Sequence, residues 1–135
     1  MGLVQSVRPQ AYVVEKDVSL AATSGTAVGI SVGAGTLVLA AGFENYDAVG
    51  NIDTYTLDVT DGTTVFANDL NFDDTSANTV KVGTTAGLVA AADTIDVVTS
   101  ITGSPGVITG RVFAVVVDVA DQDTGANEVD RDQLA

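Results

Sequence analysis

Residues 54–66, TYTLDVTDGTTVF, decide the fold class. Tyr55, Leu57 and Val59 alternate with Thr54, Thr56 and Asp58. A period of two puts the three apolar side chains on one face of a strand and the polar ones on the other. Asp61-Gly62 follows, and then Thr63-Thr64-Val65-Phe66. Asp-Gly between two such runs predicts a hairpin, because a tight type I′ turn needs positive φ at both central residues. A two-residue loop at 61–62 would pair Thr60 with Thr63 and set Leu57 opposite Phe66 as a core pair.

The same reading extends toward the N-terminus. Residues 42–52 form a polar loop carrying Phe43, Tyr46 and Val49, preceded by a strand that starts at Leu37-Val38-Leu39. Ala34-Gly35 is a turn. Val28, Ile30 and Val32 alternate with Gly29, Ser31 and Gly33, so small residues on one face leave room for another backbone. In residues 11–21, Ala11-Tyr12-Val13-Val14 and Val18-Ser19-Leu20 flank Glu15-Lys16-Asp17, which predicts two short strands around a charged turn. Residues 1–10 read as an extended arm, since Pro9 holds its predecessor in β or polyproline geometry.

Toward the C-terminus, residues 68–78 read as an acidic loop, and Thr79 to Val82 as a short strand. Gly87 to Asp93 is ambiguous between an extended segment and one helical turn. Ile95, Val97 and Ile101 share a face of the next strand. Gly103-Ser104-Pro105-Gly106 is a turn with Pro and Gly at its centre. Residues 107–119 make the longest strand: Phe113, Val115, Val117 and Val119 line one face, and Val112, Ala114 and Val116 line the other. A strand apolar on both sides is central in its sheet or covered by a neighbouring subunit. Six acids and Arg131 lie between residues 118 and 132, and 120–135 reads as a solvated acidic tail.

Composition agrees with β structure. The 135 residues fit one domain, with 46% apolar side chains supplied mainly by Val, Ile, Leu and Ala. Eighteen acids face five bases, a net charge of −13. Such a chain is not expected to bind nucleic acid or an anionic membrane, which both recruit Lys and Arg. A mean hydropathy of +0.34 sits beside that charge. The apolar residues exceed what one buried face per strand requires. Either central strands are buried twice, or a partner or a second copy covers some of the surface. No run of about 18 apolar residues is present, so no membrane-spanning helix is expected, and the first residues have no hydrophobic signal region.

Catalytic chemistry is poorly supplied. The chain has no His and no Cys, which removes the usual neutral-pH base and the thiol nucleophile. Asp96 and Asp118 lie within predicted strands and are the best candidates for a carboxylate pair, yet no Trp and only three Tyr are present to build a sugar platform. Asp69, Asn71 and Asp73 offer oxygens at alternate positions, like the start of a calcium loop. The pattern then fails, with Asp74 where Gly belongs and Val80 where the closing Glu belongs. Asp121 and Asp123 form a second weak calcium candidate without a closing Glu. No enzyme activity and no cofactor are expected.

Residues 90–121, AAADTIDVVTSITGSPGVITGRVFAVVVDVAD, resemble the C-terminal part of small structural proteins in tailed-bacteriophage virions, head decoration (cement) proteins in particular. The likeness lies in an alternating strand, a Gly-Pro turn and a long valine-rich strand, and it carries over no signature residue. It implies a protein added in many copies, often as trimers, to the outer surface of an icosahedral head, where it clamps neighbouring major capsid protein subunits against DNA pressure. The expected architecture is one small β-sandwich or jelly-roll-like barrel over 11–119, with the arm at 1–10 and the tail at 120–135. Val4, Val7, Pro9 and Tyr12 of the arm region could dock by adding a strand to a sheet edge on the shell. Val112, Ala114 and Val116 are candidates for a subunit interface. A tail or baseplate component, or a glycan- or calcium-binding module of a bacterial surface protein, are the alternatives.

Overall fold

A computed structural model describes residues 10–119 of the chain. They form nine strands and no helix: β1 (Tyr12–Leu20), β2 (Gly25–Val32), β3 (Thr36–Asn45), β4 (Thr54–Thr60), β5 (Val65–Asn71), β6 (Val80–Gly83), β7 (Gly87–Val89), β8 (Asp93–Thr102) and β9 (Ile108–Asp118). Two antiparallel sheets stack as a sandwich. One has the order β1-β9-β3-β6, with β7 also paired to β3, and the other the order β2-β8-β4-β5. The all-β sandwich expected from the alternating Val and Thr patterns is the fold observed.

Long-range pairing builds the sheets. The last described strand, β9, lies between β1 and β3, with Val14 opposite Ala114 and Phe43 opposite Val112. Strand β4 lies between β8 and β5. Of all the connections between consecutive strands, β4 to β5 is the one that forms a paired hairpin.

Several local expectations are corrected. Residues 12–20 are one strand, without a turn at Glu15-Lys16-Asp17, because those three residues pair with Phe113, Val112 and Arg111 along β9. The hairpin is wider than Asp-Gly alone suggests. Thr60 pairs with Val65 and Leu57 with Leu70. Asp61 is the cause: its Oδ1 accepts the amides of Thr63 (2.9 Å) and Thr64 (2.7 Å), which draws both residues into the loop. Strand β5 runs on through Asn71, so the loop begins later than residue 68. Gly87–Val89 is strand, with no helical turn. Strand β2 carries a bulge between Ala27 and Ile30 that turns Val28 outward and Gly29 inward, so the period of two breaks there. A Cβ on Gly29 would collide with the Ile95 carbonyl oxygen. The close backbone approach predicted for that stretch is thus real, at this one residue.

The core lies between the inner faces. Tyr55, Leu57 and Val59 of β4 and Ile95 and Val97 of β8 face Val38, Ala41 and Phe43 of β3 and Val112, Ala114 and Val116 of β9. Phe43 from one layer meets Phe72, just beyond β5, edge to face at 5.6 Å. Asn45 is the main polar group within this interior. Its Nδ2 donates to the carbonyls of Asp47 (2.7 Å) and Ser76 (3.2 Å), and its Oδ1 accepts from the Thr79 amide (2.9 Å). It thereby fastens two loops at one end of the sandwich.

Candidate functional site

The residues left for contact are those the strand register turns outward. In antiparallel sheets directly paired residues share a face. On the five-stranded sheet, three successive outward rows follow. Val117 of β9 lies beside Leu37 of β3, with Leu88 of β7 beyond Leu37. Val115 lies between Val13 of β1 and the bulged pair Leu39-Ala40 of β3. Phe113 lies between Glu15 and Gly42, with Val82 of β6 beyond. The bulge arises because Ala40, not Leu39, pairs with Val115, which lets both side chains leave the core.

A charged end closes this face. Arg111 donates to Glu15 Oε1 and Glu44 Oε1, each at 2.6 Å, spanning β1, β9 and β3. The two carboxylates hold the guanidinium charged and raise its pKa. Beside it the Tyr46 hydroxyl donates to Asp17 Oδ1 at 2.6 Å. That bond raises the Tyr46 pKa, since ionisation would lose the donated proton. Asp47 accepts both the amide and the hydroxyl of Thr109, at 2.8 and 2.9 Å, which lowers its pKa.

The four-stranded sheet is dressed differently. Its outward residues include Thr54, Thr56 and Asp58 on β4 and Thr94, Asp96, Ser100 and Thr102 on β8, with Val98 the apolar exception on β8. Asp58 Oδ1 accepts the Asp69 amide at 2.7 Å and Asp96 Oδ1 accepts the Gly29 amide at 3.1 Å.

The sequence-predicted residues fall as follows. Val112, Ala114 and Val116 point inward and are fully buried between the sheets, so they have no surface to give a neighbouring subunit. Strand β9 is central, as one of the two readings of its double apolar character required, and its open face is Phe113, Val115 and Val117. Tyr12 stands at the start of β1 and is half exposed. Val4, Val7 and Pro9 lie outside the described residues, as do Asp121 and Asp123. Asp96 belongs to the four-stranded sheet and Asp118 to the five-stranded one, so they do not make a carboxylate pair. Asn71 Oδ1 accepts the Asp73 amide and Asp73 Oδ1 accepts the Ile52 amide, both at 2.8 Å. Among the described residues no three His, Cys, Asp or Glu side chains converge to hold a metal ion. Val13, Val82 and Leu88 escaped the sequence reading as one surface, because each comes from a different strand.

No protein-family model matches the chain, and no curated protein matches it. Among solved structures it is similar to a chain of the capsid asymmetric unit of cyanophage Pam1. The two share a TM-score of 0.64 and 16% sequence identity over 85% of this chain and 91% of that one. At that identity the likeness is one of fold, and it covers most of both chains. The two coverages also make the matched chain about as long as this one.

Proposed function

We propose that the protein is a non-enzymatic structural component of a tailed-phage virion, a decoration protein that binds the outside of the head and stabilises it. The observation that carries this reading is the shared fold with a chain of a phage capsid unit, over nearly the full length of both. The similar length of that chain supports an accessory subunit that is a small sandwich by itself. The valine-rich segment at 90–121 supports the same class. The lack of His and Cys, and the separation of Asp96 from Asp118, support a protein without catalytic chemistry. The partners in this reading are the major capsid protein and, as the resemblance implies, other copies of the chain.

The experiment is co-sedimentation of the purified protein with head shells of the virus that carries it, counting bound copies per capsomer. Saturable binding at a fixed ratio, with shells that survive higher temperature, is the expected result. No binding to either expanded or unexpanded shells rejects the reading.

A further inference from the structure

The outer face of the five-stranded sheet carries a contiguous apolar band. Val13 is 61% exposed, Leu88 52%, Val82 50% and Leu39 40%, and the described residues place nothing over them. Phe113, Val115 and Val117 join these residues through the middle of the sheet. Soluble monomers seldom leave a continuous apolar patch larger than a few hundred Å² in water, and such patches mark contact surfaces. The opposite sheet turns Val28, Val65 and Val98 outward among Thr, Ser and Asp, and no strand pairing there sets two of them side by side.

Charge selects the occupant. The net charge is −13, and only Lys16, Lys81 and Arg111 of the five bases lie in the described residues. Lys81 stands over the Phe72 ring at 5.9 Å, and Lys16 reaches the Val28 carbonyl at 3.5 Å. Arg111 is the single base on the outward face among the described residues, and Glu15 and Glu44 already hold it. Asp17 adds a third carboxylate to the same end. A second copy laid face to face would set Glu15, Glu44 and Asp17 against the same three carboxylates, with Arg111 the one base on that face among the described residues, and would add another −13. A complementary surface has an apolar strip flanked by Lys and Arg.

We infer that this face docks on a protein surface of that kind, an apolar strip with a basic rim. The inference rests on the virion reading above, in which that surface belongs to the head shell. Contacts between copies then use other parts of the molecule.

The chain has no Cys, so single-cysteine variants report on one position each. V82C and L88C mark the proposed face, and S100C marks the outside of the other sheet. In the isolated protein all three should react freely with a maleimide. With head shells of the parent virus added, V82C and L88C should become several-fold slower and S100C should not change. Binding should also weaken as salt rises, and the double variant V82D/L88D should lose it while S100D keeps it. Shell-bound protein with V82C and L88C still reactive overturns the face while leaving the virion reading intact. Failure of the unaltered protein to bind shells overturns both. Protection that grows with the protein's own concentration replaces the basic partner with a second copy. Protection already present in the isolated monomer means the chain covers its own face, and overturns the inference.

Discussion

Strands β8 and β9 each occupy an interior position in their sheets, and each buries one face against the other layer. Ile95, Val97 and Thr99 do so on β8, and Val112, Ala114 and Val116 on β9. Their outward faces differ. β8 shows Thr94, Asp96, Val98 and Ser100, while β9 shows Phe113, Val115 and Val117. Stability of the sandwich requires only the first set of faces, because the hydrophobic gain comes from the area removed from water between the layers. The second apolar face of β9 adds little to the isolated fold. The contrast teaches that one sheet is dressed for water, while the other keeps apolar side chains outward, as the inferred docking face requires.

The most severe way to break that contrast is a charge on either side of β9. Val112→Asp buries an unpaired carboxylate and should remove about 4 kcal/mol or more, most of the stability at the low end for a domain. Val115→Asp, one face over, should cost about 1 kcal/mol or less. Circular dichroism melts of the two variants test this, and equal losses would mean that the outer face is part of the folding core. Next in size is Asn45→Ala, which leaves the Thr79 amide without its acceptor and opens the loop end of the five-stranded sheet. A loss of about 2–3 kcal/mol by urea denaturation is expected.

Tyr55 sharpens the view of the four-stranded sheet. It is buried, its hydroxyl has no partner among the described residues, and burial pushes its pKa up to about 12 from 10.0. The neutral phenol is therefore the form that the fold favours. Its contribution is complete below pH 10.0 and is lost as pH rises toward about 12. Tyr55→Phe should change stability by less than about 1 kcal/mol at neutral pH. It should also flatten the alkaline fall in the melting temperature, which a pair of pH-dependent melts would show. The smallest effect belongs to Arg111→Met at the charged end of the apolar band. The pair with Glu15 is exposed and the pair with Glu44 half-buried, so the drop in melting temperature should be slight and should shrink in high salt.

What could be read from sequence was local. Tyr55, Leu57 and Val59 announced an inner face, as did Ile95 and Val97, because alternation is a property of neighbouring residues. The apolar character of both faces of residues 112–119 was equally plain, and assigning the inner set to an interface failed because alternation does not say which side meets the core. The bulge at Ala27–Ile30 and the Asp61 side-chain bonds were hidden, since both depend on hydrogen-bond partners that the pattern does not name. The apolar band was beyond reach for a different reason. Val13, Leu37, Val115 and the pair Val82 and Leu88 lie far apart along the chain, and only the pairing of β1 and β3 with β9, and of β6 and β7 with β3, brings them together.

The placing of β9 between β1 and β3 has a consequence during synthesis. Chains emerge from the ribosome at about 5–20 residues per second. Until residues 108–118 are out, β1 and β3 have no common neighbour, and the middle of the apolar band does not exist. Non-local pairing of this kind also makes folding slow compared with a hairpin-rich sheet. A growing or truncated chain thus lacks the surface by which we expect the finished protein to dock. If that face is the docking surface, competence to dock arrives with the last described strand, and incomplete copies do not compete with whole ones.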